Sequence, residues 1–168
     1  MINRLEESIT HIMDSIEESV FNIEFEDVTK AVELIIDSEN VFVYGSGRSG
    51  LVGRTFAMRL MQLGLNSFFI GETITPAVKD NDCVFFVSKT GETQTAIQAA
   101  GIVAERVDAD IIVLTASPKS TLANYADIII TLEVPEDKKD TYLAPLVTVF
   151  EDSAIIFFDG FVSILMDQ

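Results

Sequence analysis

Residues 41–53 read V-F-V-Y-G-S-G-R-S-G-L-V-G. The apolar run predicts a strand, the glycines and serines predict a tight turn, and the apolar spacing after them predicts the start of a helix. Gly45 and Gly47 permit positive φ and a close approach of the backbone, and the N–H groups that open the helix attract an anion. Ser46 and Ser49 add hydroxyl donors. The stretch is therefore typical of a strand, a phosphate-sized turn and a helix.

A second strand and turn of the same kind lie further along the chain. The apolar run Cys83–Val87 is followed by S-K-T-G-E-T at 88–93 and then by a helical pattern. This turn also fits a simple helix cap with Thr90 as N-cap, but a cap needs only one hydroxyl, and Ser88 and Thr93 supply two more. The carboxyl ends of parallel strands open onto one crevice, so we expect the two turns to converge on one phosphorylated ligand.

Five apolar runs alternate with helical patterns. The predicted strands are 41–44, 66–70, 83–87, 111–115 and 128–132. The predicted helices are 5–20, 27–37, 49–62, 96–104 and 147–166. Asp27 is the expected N-cap of the second helix, and 133–145 is the expected loop. This alternation predicts βαβ units and a parallel sheet. We expect a single α/β domain, with N-terminal helices in 1–38 and the α/β core in 39–168.

The length, composition and charge of the chain exclude some classes of protein and of partner. The 168 residues fit one domain with a sizeable core. An apolar fraction of 48% is high for a soluble monomer and predicts an oligomer, with the first helix as a candidate for docking on a neighbouring subunit. A net charge of −16 argues against nucleic acid and acidic membranes as partners, because both bind basic patches. An anionic ligand must find local donors, and Arg48 and Lys89 in the two turns supply them.

The sequence also indicates whether the chain has a signal peptide, a membrane-spanning segment or metal ligands. The first residues lack the long apolar core and cleavage site of a signal peptide, and the longest apolar stretch, 154–166, contains Asp159 and is too short to span a bilayer. We therefore expect a cytoplasmic protein. One histidine and one cysteine, without a carboxylate cluster of ligand spacing, predict no metal site. Cys83, at the start of a strand, is expected to be a buried structural residue.

The first turn admits other interpretations. Gly45, Gly47 and Gly50 satisfy G-x-G-x-x-G, the fingerprint of dinucleotide-binding sites. That fingerprint requires an acidic residue after the next strand to hold a ribose, and Glu72 is the nearest candidate. The second hydroxyl-rich turn has no place in a dinucleotide site. Dinucleotide binding and a purely structural glycine turn remain alternatives to phosphate binding.

Two further residues are candidates for chemistry. Glu151 opens the last helix within the largely apolar stretch V-T-V-F-E-D-S-A. An apolar setting raises the pKa of a carboxyl and makes it a usable base, whereas a carboxylate here also complements the helix N-terminus. Sequence reasoning leaves both roles open. His11 lies near the polar side of the first helix, where a lone histidine ordinarily has no specific role.

Several stretches resemble the sugar isomerase (SIS) domain family, and within it the 6-phospho-3-hexuloisomerases. They are G-S-G-R-S-G-L-V-G-R-T-F-A-M-R-L-M-Q-L-G at 45–64, F-I-G-E-T-I-T-P-A at 69–77, V-S-K-T-G-E-T at 87–93 and V-F-E-D-S-A-I-I-F-F-D-G at 149–160. The resemblance implies a three-layer α/β/α fold with a five-stranded parallel sheet of the flavodoxin-like, doubly wound type. It also implies a homotetramer with active sites near the subunit interfaces.

The resemblance implies an activity as well. Such enzymes interconvert D-arabino-3-hexulose 6-phosphate and D-fructose 6-phosphate in the ribulose monophosphate pathway, through a cis-enediol and without metal or redox cofactor. A sugar phosphate is thus the expected partner. By the same resemblance, Glu151 is the base, and Gly47 and Arg48 line the sugar pocket. Phosphate binding is implied for hydroxyl residues of both turns: Ser46, Ser88, Thr90 and Thr93.

The sequence departs from the family in two places. The family's second turn is usually S-G-S-G-x-T, whereas Lys89 restricts the backbone where glycine was free, although it adds positive charge for a phosphate. Family members usually continue into a short segment ending near a histidine, and this sequence ends at Gln168. We therefore expect that His11 of a neighbouring subunit takes that catalytic place, that the chain is truncated, or that activity is reduced. A non-catalytic sugar-phosphate-binding module is the alternative function.

Overall fold

The computed structural model describes residues 2–135 and 138–167. Within that part of the chain, one sheet contains five strands: β1 Val41–Gly45, β2 Ser67–Phe69, β3 Cys83–Val87, β4 Asp110–Thr115 and β5 Ile128–Thr131. Their order is β2-β1-β3-β4-β5, and every neighbouring pair is parallel. This is the order of flavodoxin-like doubly wound sheets, so the predicted fold class is confirmed.

The helices follow the predicted pattern, with shifted starts. They are α1 Ile2–Phe21, α2 Phe25–Asp37, α3 Gly47–Gln62, α4 Gln94–Arg106 and α5 Thr148–Leu165, with short 3-10 turns at Leu122–Tyr125 and Lys138–Thr141. The expected N-cap of α2 was wrong: Glu24 occupies the N-cap position, without a side-chain capping hydrogen bond, and the Asp27 N–H already donates to the Glu24 carbonyl. Asp27 therefore lies in the first turn, where its charge still favours the helix N-terminus.

Both faces of the sheet are covered, which gives three layers. On one face pack α2, α3 and α5, and Phe56 of α3 stacks on Phe158 of α5 with ring centroids 4.0 Å apart. On the other face, α4 places the small side chains of Ala96 and Ala100 over strand residues such as Phe86. Every residue of β3 is buried, as the central strand of a parallel sheet requires.

Cys83 begins this central strand. Its side chain has no exposed surface, and burial raises the pKa of its thiol. The prediction of a buried structural cysteine is confirmed.

The first helix packs on another helix of its own chain. α1 contacts α5, and its buried residues are Ser15, Ile16 and Ser19, whose small side chains at two positions allow close approach. Leu5 and Met13 on its apolar side are exposed. Docking of α1 on a neighbouring subunit thus stays a prediction for that exposed side. Across the described residues, no helix is both long and apolar enough to cross a membrane.

Candidate active site

The two predicted turns lie side by side at the carboxyl edge of the sheet. β1 and β3 are hydrogen-bonded neighbours, and their last residues, Gly45 and Val87, are partners in the register. The turns that follow therefore open onto the same crevice, at the point where the strand order reverses. A cavity of about 230 Å³ lies there. The two turns therefore line one cavity, as expected, and the binding of a phosphorylated ligand there stays a prediction.

Hydroxyl, cationic and carboxylate side chains line this cavity. The lining residues are Ser46, Ser49, Val87, Ser88, Lys89, Thr90, Thr93, Ala96, Val147 and Glu151. Of the predicted site residues, Gly47, Arg48 and His11 are not among them. Hydroxyl and N–H donors beside a cation suit a phosphate, whose oxygens only accept hydrogen bonds unless protonated.

Close backbone packing explains the glycines of the first turn. A Cβ atom on Gly45 would lie 2.7 Å from the Ser49 carbonyl oxygen, and one on Gly50 would lie 2.6 Å from the Gly45 carbonyl oxygen. Gly47 has φ of +59°, in the region that favours glycine. Ser46 is the N-cap of α3, yet its side chain makes no capping hydrogen bond. Its hydroxyl is therefore available to a ligand in the cavity.

The dinucleotide interpretation loses its acidic residue. Glu72 would have to hold a ribose in such a site, but its Oε1 accepts a hydrogen bond from Arg54 Nε at 2.9 Å. The G-x-G-x-x-G pattern instead reflects the tight turn into α3.

Internal hydrogen bonds organise the second turn. The buried Ser88 Oγ accepts a hydrogen bond from the Gly91 N–H at 3.2 Å and lies 3.4 Å from Thr93 Oγ1. Thr90 Oγ1 accepts from the Glu92 N–H at 3.3 Å. Thr93, not Thr90, is the N-cap of α4, and its side chain makes no capping hydrogen bond. The simple cap built on Thr90 is therefore wrong.

Contacts from the segment after β4 brace this turn from outside. Glu92 accepts hydrogen bonds from the N–H and the hydroxyl of Thr121, both at 2.8 Å, and these bonds lower the pKa of the Glu92 carboxyl. Gly91, with φ of +62°, packs so closely on Ser120 that a Cβ would lie 1.9 Å from Ser120 Oγ. No local sequence pattern indicates this brace, because Glu92 and Thr121 are far apart along the chain.

Lys89 fits the turn without a glycine. Its carbonyl accepts hydrogen bonds from the Ala116 N–H at 3.0 Å and Thr115 Oγ1 at 3.1 Å. Positive φ is needed at Gly91 instead, and Lys89 is not among the positive-φ residues of the described chain. The turn thus takes a conformation at Lys89 that does not require glycine. The side chain faces the cavity and brings a positive charge to it.

The position of Glu151 is compatible with both roles that the sequence left open, and its role as a base stays a prediction. Glu151 lies in the first turn of α5, and its side chain also lines the cavity, with only 5% of the residue exposed. Burial raises the pKa of its carboxyl; the charge of Arg48 opposes this rise, Asp152 adds to it, and Lys89 opposes it. A carboxylate with a raised pKa beside a phosphate-sized cavity is suited to accept a proton.

Arg48 is the nearest charged partner of Glu151. Its Nε lies 2.6 Å from Glu151 Oε2, in a close ion pair. Its Nη1 donates to the Leu146 carbonyl at 2.6 Å. Leu146 and Val147 have φ of 60° and 71°, a costly conformation for residues other than glycine. Arg48 thus ties the first turn to the strained entry of α5.

His11 lies outside this cavity within the chain. Its Nε2 is 2.6 Å from Asp140 Oδ1, in the segment that precedes α5. A catalytic role from a neighbouring subunit stays a prediction. Among the residues at 2–135 and 138–167, no group of three or more histidine, cysteine or acidic side chains is placed to hold a metal ion.

Four lining residues were not among the predicted site residues: Ser49, Val87, Ala96 and Val147. Ser49 was recognised as a donor of the first turn but not as a lining residue, although its spacing from Ser46 places it one turn along the helix. Val147 could not have been found, because a β-branched residue gives no signal of a left-handed conformation.

Comparison with known proteins is consistent with this geometry. The sequence model of the SIS domain matches residues 34–157. The 3-hexulose-6-phosphate isomerase of Methanocaldococcus jannaschii is 38% identical over 137 residues, covering 82% of this chain and 73% of that protein. The 3-hexulose-6-phosphate isomerase of Bacillus subtilis is 32% identical over 166 residues, covering 96% of this chain and 89% of that protein.

A solved structure gives the same relationship. A Methanococcus jannaschii protein, whose crystal structure infers a molecular function of 3-hexulose-6-phosphate isomerase, superposes with a TM-score of 0.80 at 30% identity, over 99% of this chain and 89% of that one. The matched family model spans most of the chain and includes both turns and Glu151. The chain therefore belongs to the SIS domain family.

Proposed function

We propose that the chain is a sugar-phosphate isomerase that interconverts D-arabino-3-hexulose 6-phosphate and D-fructose 6-phosphate. The observation that carries the proposal is the placement of the buried Glu151 carboxylate in the wall of a cavity formed by two hydroxyl-rich turns. Relatives named 3-hexulose-6-phosphate isomerase support the substrate.

The proposed phosphate site uses both turns. The hydroxyls of Ser46, Ser88, Thr90 and Thr93 and the N-terminus of α4 hold the phosphate, and Lys89 neutralises part of its charge. These groups are local donors in a chain of strongly negative net charge, which otherwise repels an anion. The sugar then extends from the phosphate towards Glu151.

The proposed chemistry is a proton transfer between adjacent carbons. The Glu151 carboxylate removes the proton from C2 of the 3-ketose, and the electron pair of that bond forms the C2–C3 double bond of a cis-enediol. The same carboxyl returns the proton to C3 while the hydroxyl proton on O2 moves to O3, which leaves the ketone at C2. No electrons are gained or lost, and one base on one face suffices.

Arg48 has two effects in this scheme. Its charge keeps Glu151 ionised despite burial, and its guanidinium offers donors for negative charge that develops on the enediol oxygens. Gly47 permits the turn that presents Arg48, because positive φ at this position costs glycine little.

The proposal extends to the wider setting of the enzyme. We place it in the ribulose monophosphate pathway of the cytoplasm, as a homotetramer with active sites near the subunit interfaces. The chain acts as one SIS domain, in which residues 1–38 add N-terminal helices to the α/β core at 39–168. The names of the relatives support the reaction on which this setting rests, and the exposed apolar side of α1 supports the assembly.

A coupled assay tests the proposal. D-arabino-3-hexulose 6-phosphate is made in place by its synthase, and fructose 6-phosphate is followed by downstream dehydrogenase absorbance. In Glu151→Gln the turnover should fall by about 10²- to 10⁴-fold while fructose 6-phosphate still binds, because a proton shuttle is lost and the phosphate site is kept. Asp152→Asn, on the adjacent residue of the helix, is the matched control and should stay within a few-fold of wild type.

The outcomes separate the two candidate functions. Near-normal turnover in Glu151→Gln would contradict the assignment of the base. Saturable binding of fructose 6-phosphate by the wild-type protein without any turnover would favour the non-catalytic sugar-phosphate-binding module.

A further inference from the structure

The segment that joins β5 to α5 has little regular structure, and it ends in a strained turn. Its described residues are 132–135 and 138–147, which we call the connecting segment. Leu146 and Val147 close it with positive φ. Such a conformation is unfavourable for residues other than glycine and persists only when surrounding contacts hold it.

One end of the connecting segment is held at the active site. The Leu146 carbonyl accepts a hydrogen bond from Arg48 Nη1, and Arg48 Nε is the ion-pair partner of Glu151. Val147 itself lines the cavity. A shift of this end therefore moves Arg48 relative to the carboxylate.

The other end is held by α1. Arg4 donates to the Tyr142 carbonyl at 3.2 Å, and the Ser8 hydroxyl donates to the Leu143 carbonyl. The third contact joins His11 to Asp140. It differs from the other two because it joins two side chains, an imidazole and a carboxylate. A carboxylate only accepts, so the hydrogen of this 2.6 Å contact is carried by His11 Nε2.

The His11–Asp140 contact is partly buried. Side-chain exposure is 13% for His11 and 29% for Asp140. Asp140 also lines a cavity of about 330 Å³ together with Lys89, Leu146 and Val147. The residue that His11 holds thus shares a cavity with both the phosphate-site lysine and the strained turn.

We propose that His11 is a positioning residue, which fixes the connecting segment through Asp140 and thereby sets the Leu146–Arg48–Glu151 arrangement. This inference rests on the proposed function for its effect on turnover. On this inference, α1 affects turnover although none of its residues lines the cavity between the two turns. It also requires no histidine from a neighbouring subunit.

Turnover of three variants tests the inference. In His11→Leu, kcat should fall about tenfold, because small displacements of catalytic groups are costly, while the Kd of fructose 6-phosphate stays within twofold of wild type. His11→Gln should recover most of the kcat, since its amide can donate to Asp140. Glu17→Gln, an exposed residue of the same helix, should behave as wild type.

A double variant separates positioning from general destabilisation. If the effect runs through Arg48, His11→Leu should cause no further loss of kcat in an Arg48→Met background. An additive loss, or an equal loss in His11→Gln and His11→Leu, would overturn the inference.

A measurement without substrate keeps the inference testable if the wild-type protein shows no turnover. The pKa of the Glu151 carboxyl can be followed by ¹³C NMR. It should rise in His11→Leu, because the opposing charge of Arg48 is then less well placed, and stay unchanged in Glu17→Gln. An unchanged Glu151 pKa in folded His11→Leu would refute the positioning role, whereas absent turnover alone would refute only the isomerase.

Discussion

The two turns that form the phosphate-sized cavity are built in different ways. The first turn is self-contained: Gly45 and Gly50 pack against each other's backbone, and α3 begins at once. The second turn is held from outside, by hydrogen bonds and close packing with the segment after β4. The shape of the first turn thus depends on the absence of side chains at its glycines, and that of the second on contacts with a distant segment. Substitutions in the two turns should therefore change stability in different ways.

The largest effect is expected at the self-contained turn. Gly50→Ala places a Cβ 2.6 Å from a backbone oxygen that no side-chain movement can relieve, so the free energy of unfolding should fall by about 3 kcal/mol. Urea unfolding measures the change. Gly160→Ala in α5, where nothing lies within 4 Å of the new Cβ, is the matched control and should stabilise by about 1 kcal/mol or less. Equal stability of the two variants would contradict the steric account.

A smaller effect is expected at the braced turn. Gly91→Ala should cost about 2 kcal/mol, from its positive φ and from overlap with Ser120. Because the overlap involves a side chain, Ser120→Gly should restore part of the loss in the double variant. Urea unfolding of the four proteins in this cycle gives the coupling. Strict additivity would show that Ser120 does not brace the turn.

The smallest effect concerns the charges that the turns bring to Glu151. Arg48 from the first turn opposes the raised pKa of this carboxyl more than Lys89 from the second. A base must be ionised, so a higher pKa moves the acid limb of kcat/KM to higher pH. Arg48→Met should therefore move that limb upward, and Lys89→Met should move it upward by less.

The pH profile has a control in the same helix as Arg48. Arg59 pairs with Asp159 at the other end of α3, so Arg59→Met should leave the acid limb in place. A downward shift in Arg48→Met, or a larger upward shift in Lys89→Met, would contradict the stronger effect of Arg48 on the Glu151 pKa.

The sheet was predictable because its strands are short apolar runs, and residues typical of turns follow several of them. The parallel order puts the carboxyl ends of β1 and β3 at the same edge of the sheet, so that the two turns meet there, with Gly45 beside Val87 in the register. Helix starts were less accurate, because several polar residues compete for each cap; Thr93 was chosen over Thr90, and Glu24 over Asp27.

The missed features of the site share a physical cause. The pairs Arg48–Glu151, Glu92–Thr121 and His11–Asp140 join residues from distant parts of the chain, and no local pattern encodes them. Lys89 illustrates the same point in reverse. Its local sequence indicated a restricted turn, but hydrogen bonds from the end of β4 fix its carbonyl in a conformation that lysine adopts freely.

The buried cysteine has a practical consequence. Thiol reagents attack the thiolate, and Cys83 is inaccessible and held protonated at the start of the central strand. Alkylation of the native protein must therefore wait for β3 to become exposed, which requires the sheet itself to open. The alkylation rate of the single thiol therefore reports how often β3 becomes exposed. Mass spectrometry of the alkylated protein can rank variants by this rate without an introduced label.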